Sequence, residues 1–264
     1  TRVASSYDLE TIHKVEKFPT QKSINQQKEK LSEVVLRVSD QKVKKIVLGV
    51  PGVIDTKNKK FVKFSNYHEL DGRNFGDLFV EELQSVPLFV DNDAVLAGLG
   101  EAILGIGRNY TNVAYITIST GIGGVFIRDK KVSRLPEHTE PGHVVIDENS
   151  DLVDGLGIKG SFEALASGKA FEKAYGVRPV ACEDDEVWKK YGYVLGNGLL
   201  HIIKSWDPDV VVLGGGVSTN FSAFFPGIMD RFAQETNYEI PPILRSEYMD
   251  NAGLWGGFVY LRDH

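Results

Sequence analysis

Short runs of β-branched, aliphatic and aromatic residues punctuate the chain at residues 43–50, 87–90, 113–118, 124–128 and 210–213. Their length and composition predict strands, several of them buried. Between these runs the apolar positions change period. Ile24, Leu31, Val34, Val35 and Val38 fall on one face of a helix, and so do Phe75, Leu78, Phe79 and Leu83. Trp188, Tyr191, Leu195, Leu199, Ile202, Ile203 and Trp206 predict a longer helix over 187–206, closed by Asp207 and Pro208. Gly192, Gly196 and Gly198 inside it each cost about 1 kcal/mol relative to alanine, so they imply close packing against a neighbour. Phe221, Phe224, Phe225, Ile228, Met229 and Phe232 form a further stripe, read as core. Helices alternating with strands give the α/β class.

Composition narrows the partners. Lys and Arg number 30 against 36 Asp and Glu, a formal net charge of −6 over 264 residues. No broad cationic surface is therefore expected, and nucleic acid is not expected as a partner. No apolar run approaches the roughly 20 residues of a bilayer span, and residues 1–8 lack the charged-then-apolar layout of a signal peptide. A cytoplasmic protein without membrane contact is expected. The single cysteine, Cys182, excludes an internal disulfide and any multi-cysteine zinc site. Lysines at 42, 44, 45, 57, 59 and 60 read as solvated edges, and the acidic run 183–186 as a cap for the long helix.

Two glycine-rich turns carry candidate chemistry. Ser119-Thr-Gly-Ile-Gly-Gly124 joins two predicted strands, a hairpin whose backbone N–H groups and Thr120 hydroxyl can face an anion. Gly214, Gly215 and Gly216 follow the strand 210–213, at the carboxyl end where open α/β sheets bind ligands. Neither turn has the P-loop or Rossmann spacing. Asp93 ends the run Phe89-Val-Asp-Asn-Asp93 and leads into the small-residue helix of Ala94, Ala97, Gly98 and Ala102; it reads as a helix cap or as a carboxylate aimed at a ligand. Glu140-Pro-Gly-His143 is a rigid turn presenting a carboxylate and an imidazole, and Glu163 follows. Such acceptors and donors suit a polyol, whose hydroxyls each need directed hydrogen bonds.

In this order the motifs resemble the ROK-family sugar kinases of the actin-like and hexokinase superfamily. The likeness is carried by Leu48-Gly-Val-Pro-Gly-Val-Ile-Asp55, Phe64-Ser-Asn66, Val90-Asp-Asn-Asp-Ala94, Gly100-Glu101, Ser119 to Gly124, Glu140 to His143, and Asp207 to Gly216. The resemblance implies a two-lobed α/β fold (ribonuclease H-like), with a smaller lobe over 1–105, rejoined by a helix over 252–264, and a larger one over 106–251. It implies Asp93 as the general base toward a sugar hydroxyl, with Asn66, Asn92, Glu140, His143 and Glu163 binding the others. Thr120, Gly121, Gly123 and Gly124 would hold ATP phosphates, with Mg2+ held mainly through those phosphates, and Gly214, Gly215 and Gly216 would border the adenosine. The expected activity is ATP-dependent phosphorylation of a hexose, glucose or a related sugar, at its 6-OH. A sugar-sensing regulator without kinase activity is the alternative, and a homodimer the expected assembly.

Two departures modify this. The family commonly binds zinc through a Cys-x-Cys-Gly-x-x-Gly-Cys-x-Glu segment and the histidine of the Glu-x-Gly-His turn. Here that segment is Asp154-Gly-Leu-Gly-Ile-Lys-Gly-Ser-Phe-Glu163, with Asp154, Leu156 and Ser161 at the thiolate positions. No structural zinc is expected, and Leu156 and Phe162 are expected to brace the segment by apolar packing. The family also carries an Asp-x-Gly-Gly-Thr phosphate loop ahead of a strand like Arg2-Val3-Ala4, so residues preceding Thr1 are expected in the native chain.

Overall fold

The computed structural model describes residues 1–64, 67–135, 140–235 and 237–264. They divide into two units, Thr1–Gly100 with Gly253–His264, and Glu101–Ala252.

In the first unit β1 (Arg2–Ser5) pairs antiparallel with β2 (Lys14–Lys17). Helix α1 (Ile24–Val38) starts at Ser23, whose side chain accepts the Gln26 N–H, and buries the predicted face from Ile24 to Val38. The first predicted strand is shorter than its apolar run: β3 is Ile46–Val50, and Lys44 and Lys45 ahead of it are exposed. β4 (Val53–Asp55) and β5 (Lys60–Lys63) make an antiparallel pair.

The helix expected over 75–83 is a correction. The chain instead makes a 3-10 turn, Phe75–Leu78, and a single-turn α2, Glu81–Gln84. Asn74 and Asp77 form a capping box around the first turn, and the Phe79 N–H closes back onto the Gly76 carbonyl, which ends it. Phe75, Leu78, Phe79 and Leu83 are all buried, so their spacing reported burial and not one continuous helix. β6 (Leu88–Asn92) runs parallel to β3, with Val50 opposite Asn92, and the chain passes directly into α3 (Asp93–Ile103).

The second unit is built on a five-stranded sheet. Its elements are β7 (Asn112–Ile118), β8 (Ile122–Arg128), β9 (Lys131–Val132), α4 (Phe162–Ala166), α5 (Gly168–Tyr175), α6 (Asp185–Trp206), β10 (Val210–Gly214), α7 (Phe221–Phe232) and β11 (Ile243–Arg245). The strand order is β11-β10-β7-β8-β9, with β10 parallel to both neighbours and the β7–β8–β9 run antiparallel. β10 is buried along its whole length, as a strand covered on both faces must be. The chain closes with α8 (Ala252–Arg262), where Gly256 lies against the Leu96 carbonyl of α3.

The glycines of α6 serve close packing. A Cβ added at Gly192 would overlap the Phe224 carbonyl oxygen of α7, one at Gly196 would fall 2.9 Å from the Arg231 Cβ, and one at Gly198 would overlap the Phe162 ring. On an exposed helix Gly192→Ala would stabilise by about 1 kcal/mol. Here the added methyl meets backbone that cannot yield, so a loss of about 1–3 kcal/mol is expected in urea unfolding; an unchanged or raised midpoint would contradict the tight α6–α7 contact. The α7 stripe is core at Phe224, Ile228 and Phe232, but Met229 is 45% exposed, a correction to the reading of the whole stripe as core. Phe224, Ile228 and Phe232 repeat every four residues along the face toward α6, which leaves Met229 beside that face.

Candidate functional site

Parallel pairing of β3 and β6 brings their carboxyl ends together, and Asp93 stands at that end as the first residue of α3. It is exposed, whereas Asp91 two residues earlier is buried. Asn92 supplies a cap, its Oδ1 accepting the Ala94 N–H at 2.9 Å; Asp93 Oδ1 accepts the same N–H at 2.8 Å. Asp93 thus adds to a cap that Asn92 already makes, and its side chain reaches solvent. Gly49 on β3 packs closely against the start of α3, since a Cβ there would sit 3.0 Å from the Leu96 Cδ1 and 3.5 Å from the Asp93 Cα. Asn66 lies outside the described residues.

In the second unit the glycine hairpin differs from its expected form. β8 begins at Ile122, so Gly123 and Gly124 are strand residues paired with Thr117 and Ile116, and the turn is only Ser119, Thr120 and Gly121. Gly124 is glycine because a Cβ would come within 2.6 Å of the Tyr115 carbonyl and 2.9 Å of Pro141; the constraint is contact, not turn conformation. The turn is fastened from two sides. Gly168 and Lys169, at the start of α5, donate N–H groups to the Ser119 and Thr120 carbonyls, at 2.7 and 3.4 Å. Glu163 Oε2 accepts the Ile122 N–H at 2.9 Å. Thr120 at its tip is exposed.

The second glycine turn lies alongside. Gly214 pairs with Thr117, and Gly215 has φ +83°, a conformation open to glycine, where a Cβ would overlap the Ile118 carbonyl oxygen. A Cβ at Gly216 would meet nothing within 4 Å, so this backbone can be approached closely by a ligand. Parallel pairing of β7 and β10 therefore brings residues 119–121 and 214–216 to the same end of the sheet.

Glu140, His143 and Glu163 are joined through Asp154. Glu140 holds the left-handed region, φ 50° and ψ 52°, immediately before Pro141. That conformation is costly for a non-glycine residue and concentrates at functional sites. It places Glu140 Oε2 3.8 Å from His143 Nε2. On the other ring edge His143 Nδ1 lies 2.8 Å from Asp154 Oδ2, which also accepts the Ser161 hydroxyl at 2.8 Å. Asp154 Oδ1 accepts the N–H groups of Leu156 and Ile158, both at 2.9 Å. The next residue, Gly155, donates to Glu163 Oε1 at 3.3 Å. Ser161 also caps α4, the helix that carries Glu163.

The Asp154 side chain is fully buried. Burial pushes its carboxyl up, but the hydrogen bonds from Ile158, His143, Ser161 and Leu156 outweigh this and bring it down to about 2. A carboxyl lowered on folding adds stability above its unfolded value near 4 and loses it as pH falls through the folded one. The 154–161 loop is thus expected to hold its structure as pH drops past 4 and to loosen only toward 2, visible as the titration of the Asp154 carboxyl carbon by NMR. A midpoint near 4 would contradict the buried cluster.

The residues do not fit the zinc site of the family pattern. Leu156 has no ligand atom and is 61% exposed, Ser161 is committed to Asp154, and the His143 nitrogen facing the segment is engaged by a carboxylate. The expectation that Leu156 and Phe162 brace the segment is corrected in the same stroke. Phe162 is buried against α6, but Leu156 points outward, and the bracing is polar, centred on Asp154. The sequence signal for this was available: Asp154 is followed by Gly155 and Gly157, which let the chain curl its N–H groups around one carboxylate.

The sequence model of the ROK family matches residues 4–264. The chain is 30% identical over 206 residues to a fructokinase of Pediococcus pentosaceus, covering 70% of this chain and 69% of that one. It is 28% identical over 217 residues to a xylose repressor of Bacillus spizizenii, covering 75% of this chain and 54% of the repressor. The chain thus spans about half the length of that repressor. Among solved structures, a ROK hexokinase from Thermus thermophilus superposes with a TM-score of 0.79 at 27% identity, over 100% of this chain and 97% of that one.

Proposed function

This chain is a member of the ROK family, and from that premise we propose that it phosphorylates a hexose, glucose or a related sugar, at the 6-OH with ATP as donor. Its fold is the two-lobed α/β fold of the actin-like and hexokinase proteins. The observation that carries the reading is Asp93, an exposed carboxylate at the carboxyl end of a parallel strand, at a helix start that Asn92 already caps.

In this reading Asp93 takes the proton of the sugar hydroxyl as its oxygen attacks the γ-phosphorus. A new O–P bond forms, the bond from that phosphorus to the β–γ bridging oxygen breaks, and ADP leaves. Asn66, Asn92, Glu140, His143 and Glu163 hold the other hydroxyls. Thr120, Gly121, Gly123 and Gly124 line the phosphates, although Gly123 and Gly124 do so from a strand and not a turn. Gly214 to Gly216 border the adenosine, an assignment supported by the open backbone at Gly216. Mg2+ would neutralise charge on the phosphates that carry it.

The test is a panel of glucose, fructose, mannose, N-acetylmannosamine and xylose incubated with ATP and the full-length protein, with sugar phosphate detected directly. Transfer to a hexose supports the reading. A sugar-sensing regulator is the second reading, favoured by the identity to the xylose repressor. Calorimetric binding of a sugar with no sugar phosphate formed at any ATP concentration would select it.

A further inference from the structure

We propose that Asp154 is a positioning residue for sugar binding: its carboxylate fixes the His143 ring in the Nδ1–H tautomer, so that Nε2 is presented as a hydrogen-bond acceptor beside Glu140.

The donors around Asp154 require this. Oδ1 takes two backbone N–H groups and Oδ2 takes the Ser161 hydroxyl, so the buried carboxylate is surrounded by donors and has no hydrogen to give. A contact of 2.8 Å to His143 Nδ1 is a hydrogen bond only if that nitrogen carries the proton. In the neutral ring Nε2 then bears the lone pair. It faces Glu140 Oε2 at 3.8 Å, too far for a direct hydrogen bond. Two acceptors at that separation are satisfied together by a molecule offering two O–H donors on neighbouring carbons, which is what a sugar diol provides. The left-handed backbone of Glu140 starts the short turn that carries His143, which sets the two acceptors side by side.

The same carboxylate ties this pair to Glu163. Ser161, bonded to Asp154, caps the helix of Glu163, and Gly155 donates to the Glu163 carboxylate. Asp154 stands at the first thiolate position of the family's zinc segment. Here the ring is oriented by a hydrogen-bonded anion, a purely protein device that needs no metal.

The inference rests on the sugar-binding reading for its consequence, but its geometric part is testable alone. Nitrogen-15 NMR of histidine-labelled full-length protein should show His143 as the Nδ1–H tautomer when neutral. Asp154→Asn should retain the fold, because its amide oxygen can keep the Leu156 and Ile158 N–H groups. Its NH2 then faces His143 Nδ1 and donates, so the ring should switch to Nε2–H. An Nε2–H ring in the unsubstituted protein, or a ring unchanged in Asp154→Asn, would overturn the proposal. Affinities for glucose and fructose, measured by calorimetry, should weaken about tenfold in Asp154→Asn, the scale of one hydrogen bond. A switched tautomer with undiminished affinity would also overturn it. Should no sugar of the panel above bind the unsubstituted protein, the sugar reading falls and takes the positioning role with it, while an Nδ1–H ring would still bear out the geometry.

Discussion

Asp93→Ala is expected to lower the rate of phosphoryl transfer by about two to four orders of magnitude, the range carried by a general base in the transition state. In the proposed reading the substitution removes the group that accepts the hydroxyl proton and leaves the side chains assigned to the other hydroxyls in place. Sugar KM should therefore change far less than kcat, the pattern of an interaction made in the transition state and not on binding. The structural alternative makes the opposite forecast. A residue that only caps α3 costs about 1 kcal/mol of stability when removed and leaves catalysis near normal. Here even that cost should be small, since Asn92 Oδ1 still accepts the Ala94 N–H. Turnover and thermal midpoint measured on one full-length variant separate the two. A folded Asp93→Ala protein with normal turnover would remove Asp93 from the chemistry.

The chain announces some of this architecture and conceals the rest, for identifiable reasons. β7 and β10 were legible because a strand buried on both faces must be apolar at nearly every position, and residues 113–118 and 210–213 are. Over 75–83 the helical spacing specifies only which side chains are inward, not that one helix is continuous. What interrupted the helix was local, the Phe79 N–H closing onto the Gly76 carbonyl and the extended backbone at Phe79 and Val80. Glycines deceived in a similar way. Gly123 and Gly124 look like turn residues, yet they are small because other backbone and Pro141 press against a strand. At the site, the missing thiolates were plain from the sequence, but their replacement was not. Apolar replacement would make Leu156 the brace, yet Leu156 is exposed and the charged Asp154 organises the segment.

Glu101 shows most sharply what a sequence withholds, and it carries the largest expected effect on stability. Its side chain is fully buried, and its carboxyl collects four donors, three of them from a segment about 145 residues away. Oε1 accepts the Ser246 hydroxyl at 2.5 Å and the Tyr248 N–H at 2.8 Å; Oε2 accepts the Glu247 and Ile106 N–H groups, each at 3.2 Å. Ser246 in turn accepts the Met249 N–H, which sets the left-handed Met249 just before α8. Glu101→Ala strips the acceptor from all four donors at once. A buried donor left unpaired costs about 1–3 kcal/mol, and water entering the vacated space recovers part of the sum, so a net loss of about 3–5 kcal/mol is expected. Glu101→Gln keeps the shape but not the chemistry. Whichever way its amide turns, the NH2 faces at least one backbone N–H, so an intermediate loss of about 1–3 kcal/mol is expected. Urea unfolding of both variants gives the ordering, and amide exchange at Glu247 and Tyr248 localises it, because those N–H groups should lose protection first. Losses below about 1 kcal/mol in Glu101→Ala, with protection at Tyr248 intact, would show that other contacts hold the 246–249 segment and that the buried carboxyl is incidental.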